Sequence, residues 1–299
     1  MPRAATPLPE SLRDRAFRRD EAREVSTGRL RGADLWAPAR GLRLPAGRTR
    51  PEDILGARAL LLPDGAAYSH TTAAHLLGVP MPYTDDGVGT IHITTPRGTR
   101  ARRGKGVVGH QRVLEPHDIA IVRGVPCTRL FRTFCDLADV LTTAQLVAAG
   151  DWIIGRGGTG VTSRRLVDAL DAASMPPARR MRLRRAIELL DSAAESPKES
   201  ELRVILREAG FGPFRSQLVV FDEQGRFVAR SDLGLPEVKV VIEYEGDHHR
   251  DRRQWRQDLQ RRRRLEALGW AYIPVTQEDL DHPARLFDDL RAAIRRIGR

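Results

Sequence analysis

The stretch KVVIEYEGDHHRD, residues 239 to 251, constrains the fold more than any other part of this chain. Val240, Val241 and Ile242 form a β-branched run of the kind that builds a buried strand. That strand leaves its core through Glu243 and Glu245, a glycine, Asp247 and two histidines. Acids at the exit of a buried strand are costly unless something there neutralises them. Side chains alternate along a strand, so Glu243 and Glu245 face one way and Ile242 and Tyr244 the other. Asp232, on the preceding strand, is placed to join the two glutamates. Carboxylates that converge in this way raise one another's pKa. A hard divalent cation removes the repulsion, because Mg²⁺ or Mn²⁺ takes oxygen ligands and keeps positions for water and phosphate.

The surrounding pattern is regular. In SPKESELRVILREAG, Ser196 is an N-cap, Pro197 occupies the first helical position and Glu199 completes a capping box. Leu202, Ile205 and Leu206 supply the buried stripe, and Gly210 ends the helix. QLVVF and RFVARSDLGL flank DEQG, which has hairpin-turn composition. VKVVIEYEG is a third strand, RQWRQDLQRRRRLEALG a basic helix, WAYIPVT a fourth strand, and a last helix starts near Glu278. The expected order is helix, three strands, helix, strand, helix. The class is α/β, α+β over the whole chain, with residues 196–299 as one domain.

Upstream, residues 1–47 read as two short helices, RDEAREV and a second one capped by Ser26 or Thr27. A basic hairpin, ADLWAPARGLRLP, follows them. Helices before a basic wing point to a winged helix-turn-helix, with Arg29 and Arg31 as DNA contacts, or to a plain helical cap. Residues 48–195 read as a mixed α+β domain with a linker helix. Within it, YSHTTAAHLLGVP is a helix closed by Gly78, TIHITTP and GVVGHQRV are strands around a basic hairpin tip, and RTFCDLADVL is a further helix. His70, His75, His92 and His110 lie without metal-ligand spacing and read as structural or surface residues. GRGGTG lacks the lysine of a phosphate loop and reads as a turn.

The 299 residues carry a formal net charge of +11, which favours a polyanionic partner, most simply DNA. The basic residues are almost all arginine. Cys127 and Cys135 do not form a Cys-x-x-Cys pair, so two buried thiols in a reducing compartment are expected. No apolar run is long enough to span a bilayer and the first residues have no secretory pattern, so a cytoplasmic protein without a membrane partner is expected. Nothing in the sequence calls for a small-molecule cofactor.

SDLGLPEVKVVIEYEGDHH followed by RQDLQRRRRLEALGW resembles the PD-(D/E)XK nucleases. More narrowly it resembles domain-of-unknown-function family 559, which is related to very-short-patch mismatch-repair endonucleases. The matching residues are Asp232, Glu243, Glu245-Gly246, His249, Asp258 with Arg261, and Gly269-Trp270, across roughly the last hundred residues. The resemblance implies a restriction-endonuclease-like core and a metal-dependent DNA endonuclease, with Asp232, Glu243 and Glu245 on the metal and Glu199 joining from the helix. It also implies a role in mismatch repair or phage defence. Glu245 stands where the nuclease fold at large has lysine, which leaves the general base open; His249 is the leading candidate, with hydrogen bonding to Asp258 as its structural alternative. Arg252, Arg256 and Arg261 are candidates for phosphate contacts, whereas Trp255 is better placed as a core anchor.

The first two thirds are similar, more faintly, to AbiEi-type antitoxins, in which a winged helix precedes a segment like Ser69 to Ala74. That likeness implies a DNA-binding regulator with a catalytically silent nuclease-like domain, and a toxin or repair protein as a further partner. An RNA-directed nuclease has the same sequence features as a DNA-directed one.

Overall fold

The computed structural model describes residues 6–81, 89–101, 103–246 and 252–297, with backbone only at 252–255 and 297. The chain divides into two compact units, Met1–Leu137 and Ala138–Arg299. Together they make a mixed α+β protein with three sheets.

The first unit opens with the single turn α1 (Glu10–Arg13), then β1 (Phe17–Arg18), β2 (Leu35–Trp36) and β3 (Leu42–Pro45), arranged in the antiparallel order β1-β3-β2. The expected hairpin is present as β2 and β3. The two expected helices are not. Residues 19–25 form turns, because only Ala22 is buried there, with Val25 partly so, and the Glu21 carboxylate accepts the Arg18 N–H at 2.8 Å. Residues 29–31 form one 3-10 turn that buries Leu30. Among the described residues before Pro51, α1 is therefore the only α-helix.

After α2 (Pro51–Ala59) a five-stranded sheet takes the order β6-β5-β4-β8-β7, with β4 Ala67–Tyr68, β5 Ile91–Pro96, β6 Val107–Arg112, β7 Ile119–Val122 and β8 Val125–Thr128. Helices α3 (His70–Leu77) and α4 (Leu130–Leu137) accompany it. Gly78, at φ +77°, closes α3 as the C-terminal glycine pattern requires. Strands β5 and β6 pair in parallel, so the basic segment between them is a crossover and not a hairpin tip. Tyr68, Ala73, Leu76, Ile91, Ile93 and Cys127 fill the core beneath.

The second unit contains α5 (Thr143–Ile154), α6 (Ser163–Ala172), α7 (Pro177–Glu188) and α8 (Pro197–Glu208). They are followed by β9 (Arg215–Phe221), β10 (Phe227–Leu235), β11 (Val240–Tyr244), α9 (Arg252–Ala267), β12 (Ala271–Val275), α10 (Gln277–Asp281) and α11 (Ala284–Ile297). From α8 onward this is the expected helix–three strands–helix–strand–helix order. The unit begins well before residue 196, because α5 packs on α8 and joins its core. There Arg203 of α8 makes a buried ion pair with Asp151 of α5 at 2.5 Å, and Asp151 also accepts the Asp191 N–H at 2.6 Å. AASMPPARR accordingly joins α6 to α7 within one unit. The arginines of α7 turn to carbonyls and acids: Arg180 binds the Leu170 and Ala173 carbonyls, Arg182 the Leu141 carbonyl, and Arg179 and Arg184 pair with Asp139 and Asp171.

The sheet order is β12-β11-β10-β9, with β11 and β12 parallel and the other pairs antiparallel. Helix α9 supplies the crossover that a parallel pair needs. Leu202, Leu206, Leu233, Val240, Ile242, Ile273 and Leu290 fill one face. Val220, Ala229, Val241 and Leu265, with Trp270 and Tyr272, fill the other. The alternation in VVIEYE is thus realised: Val241, Glu243 and Glu245 turn toward α9.

Candidate functional site

The acids of β10, β11 and α8 meet at one end of this sheet. Register places Leu233 opposite Ile242, so Asp232 comes beside the end of β11 and its Oδ2 accepts the Tyr244 N–H at 2.8 Å. Burial, with Glu199 and Glu243 nearby, raises the Asp232 carboxyl to about 6, against the opposing pull of that N–H. Two carboxylates from other elements therefore share its surroundings.

Glu243 is 7% exposed. Its Oε1 accepts the Ser231 hydroxyl at 3.0 Å, and its Oε2 accepts Arg261 at 2.6 Å and the Tyr272 hydroxyl at 3.1 Å. The same Tyr272 hydroxyl lies 2.9 Å from Glu245 Oε1. A phenol has one proton to donate, so a single hydroxyl stands between two carboxylates. Burial and the two glutamates push the Tyr272 phenol above its ordinary range.

Glu199 enters from the first turn of α8. Ser196 caps the helix by accepting the Glu199 N–H at 3.2 Å, as the sequence pattern requires. The Glu199 carboxylate reaches one residue further back than a capping box does, accepting the Glu195 N–H at 2.8 Å and the Gln217 amide at 2.7 Å.

The cationic candidates divide. Arg261 is committed to Glu243 and lies 3.6 Å from Asp258, so its first partner is the acid cluster. Arg230, on β10 two residues before Asp232, pairs with Glu195 at 2.9 Å. Arg29 forms a two-pronged pair with Asp34, at 2.9 and 2.6 Å, and holds it in place of a phosphate. Arg31 and Arg256 are exposed. Arg252 opens α9 by its backbone, and its side chain, like that of Trp255 and the whole of His249, lies outside the described residues.

The structure adds Tyr272, Ser231 and Gln217 to the expected set. Tyr272 pairs in register with Val241, two residues before Glu243 on the same face, a relation visible only once the parallel pairing of β11 and β12 is known.

Among the described residues, Arg261 brings a guanidinium to this cluster, at Glu243. All the donor atoms are oxygens, and half-buried Asp232 accepts the Tyr244 N–H. This donor set fits a hard divalent ion better than a thiol- or imidazole-seeking one. An open groove of about 1130 Å³ extends from Glu245 past Arg262, Trp270 and Arg296; Glu266, Glu278, Asp279 and Asp289 also line it, so it is no uniformly basic phosphate track.

No known family profile matches the chain. It is 29% identical over 234 residues to the uncharacterized proteins MT2308 and Rv2248 from two strains of Mycobacterium tuberculosis, covering 72% of this chain and 76% of each relative. The crystal structure of the RV2827C protein from Mycobacterium tuberculosis superposes with a TM-score of 0.40 at 18% identity, covering 68% of this chain and 76% of the other. Among the described residues no helix is long and apolar enough to cross a membrane.

Proposed function

We propose that the second unit is a metal-dependent endonuclease that hydrolyses phosphodiester bonds in DNA, acting in the cytoplasm. The observation that supports it is the convergence of Asp232, Glu243, Glu245 and Glu199 at one sheet end, with one phenolic proton between two of the acids. Asp232, Glu243 and Glu245 would hold Mg²⁺ or Mn²⁺, which would supply an activated water and charge stabilisation at phosphorus. Tyr272 holds Glu243 and Glu245 toward each other, and Ser231 fixes the rotamer of Glu243. Glu199 adds negative charge beside Asp232 and keeps Gln217 in place. Arg31 and Arg256 are the exposed cations suited to phosphate contact, and His249 is the proposed general base.

The test is cleavage of plasmid and single-stranded DNA with Mg²⁺ or Mn²⁺ by wild type and by Asp232→Ala. Cleavage lost in a variant that keeps the wild-type circular dichroism spectrum supports the reading. Equal cleavage by the variant rejects the site.

One observation favours a second reading, a DNA-binding regulator whose nuclease-like unit is silent. Both oxygens of Glu243 are engaged, one of them by a guanidinium at 2.6 Å, which is how a structural carboxylate is held. Calorimetry with Mn²⁺ on wild type and Glu243→Gln separates the two. Binding that disappears in the variant supports the metal cradle, and no binding to either, with DNA present, supports the regulator.

A further inference from the structure

Three histidines that the sequence scatters over 41 positions are brought together in the first unit. His70 is the first residue of α3, His92 lies on β5 and His110 on β6; His70 and His92 are buried and His110 is half-buried. One ligating nitrogen from each lies within 4.8 Å of the other two. The rings stack, His70 on His110 at 3.6 Å between centroids and His92 at 5.2 Å from both. His92 Nδ1 is 2.9 Å from His110 Nε2.

We propose that His70, His92 and His110 form a three-imidazole site for a transition-metal ion of the zinc class. Neutral imidazole nitrogen suits Zn²⁺, Cu²⁺, Ni²⁺ and Fe²⁺ and is a poor ligand for Mg²⁺. Two nitrogens on a tetrahedral zinc sit about 3.3 Å apart, given Zn–N bonds of about 2.0–2.1 Å. The His92–His110 pair needs to part by only about 0.4 Å to meet that spacing.

The surroundings tie the three residues together, and the near-parallel rings need only turn about their side-chain torsions for their in-plane nitrogens to meet on one ion. Ser69 Oγ lies 2.9 Å from His70 Nδ1 and accepts the Thr94 hydroxyl at 2.8 Å. With metal on His70 Nε2, the Nδ1–H donates to Ser69, the kind of outer hydrogen bond that sets the tautomer of a ligating histidine. Thr72 accepts the His92 N–H at 2.9 Å, and the Ser69 N–H binds the His92 carbonyl at 3.1 Å, which ties the helix start to the strand. His70 holds a left-handed backbone, φ 51°, in a residue with a full side chain. Such a conformation costs of order 1–3 kcal/mol and persists where the surroundings impose it.

The bland alternative is a stack of neutral histidines joined by one N–H···N bond. The two differ in metal uptake. Full-length protein with no affinity tag is stripped with chelator and titrated with Co²⁺, followed by its visible d–d absorption and by competition with Zn²⁺. The expected result is about one ion per chain in a nitrogen-rich tetrahedral or five-coordinate spectrum, displaced by Zn²⁺. His110→Gln, at the half-buried position, lowers the Co²⁺ affinity more than about 100-fold, beyond what loss of a hydrogen-bond partner to a ligand costs. Glu243→Gln and a His248→Gln/His249→Gln pair leave it unchanged. Uptake well below one ion per chain by the wild type overturns the site without recourse to any variant. Uptake by His110→Gln equal to wild type also overturns it.

Discussion

The two clusters, one in each unit, offer opposite donor chemistry. In the second unit Glu243 takes Arg261 and the Ser231 hydroxyl and shares the Tyr272 hydroxyl with Glu245. In the first unit three imidazoles stack within 5.2 Å of one another. The acids offer oxygen donors and the histidines nitrogen donors. Donor hardness therefore sorts cations between them, hard ions to the sheet end and zinc-class ions to the histidines.

The comparison breaks most visibly in a crossed titration. Glu243→Gln should lose Mn²⁺ binding by more than about a hundredfold and keep Co²⁺ at the histidines, whereas His110→Gln should do the reverse. Calorimetry with both metals on both variants checks it; a variant that loses both ions would show that the clusters are not separate sites.

Next in size is the contrast between two aspartates of the second unit. Burial pushes both Asp151 and Asp232 up to about 6, but only Asp151 has a guanidinium at 2.5 Å. Arg203→Leu strips that partner and should destabilise the fold by about 3–5 kcal/mol in urea unfolding. Loss under about 1 kcal/mol would mean that the pair is not the anchor between α5 and α8.

Asp232 shows the opposite response. Its folded pKa, about 6, lies above the ordinary 3.8, so the folded state keeps a proton that the unfolded chain has released between those values. Stability of the metal-free protein therefore falls as pH rises through that window and is level above it. Asp232→Asn should stabilise the metal-free protein by up to about 3 kcal/mol at pH 7, with the difference vanishing below about pH 4. Urea midpoints at both pH values measure it, and equal midpoints at pH 7 would remove the charge conflict from Asp232. Mn²⁺ binding should weaken about tenfold for each pH unit below 6, since the ion must displace that proton.

The smallest effect is expected at Tyr272. Tyr272→Phe deletes the shared hydroxyl and should cost about 1–2 kcal/mol without metal. With Mn²⁺ bound the cost should shrink, because the ion takes over the oxygens that the phenol served; an unchanged cost would place Tyr272 outside the metal cradle.

The acid cluster was legible because its key residues lie on one strand and the next, where period-two alternation assigns faces directly. Asp232, Glu243 and Glu245 needed no knowledge of distant pairing, and Ser196 with Pro197 announced α8. The histidines were illegible for the opposite reason. Each comes from a different element, and the His92–His110 contact depends on β5 and β6 pairing in parallel, where the sequence reads as a hairpin. Tyr272 escaped similarly, and Arg261, read as a phosphate contact, reaches Glu243 instead across the β11–α9–β12 crossover. In residues 19–31 helix-forming composition gave way to turns, because too few apolar residues recur there to pay for a helix packed on a core.

The arginines of α7 carry a consequence for how this chain meets a polyanion. Arg180 and Arg182 are spent on carbonyls, and Arg179 and Arg184 on acids, so they displace no ions from a phosphate backbone. The slope of log affinity against log salt counts phosphates neutralised, roughly 0.9 each on duplex DNA. A chain with a net charge of +11 should therefore bind DNA with a shallower salt dependence than its charge implies. Part of its arginine acts as internal mortar, and its reach for nucleic acid falls to the guanidinium groups that no carbonyl or carboxylate holds.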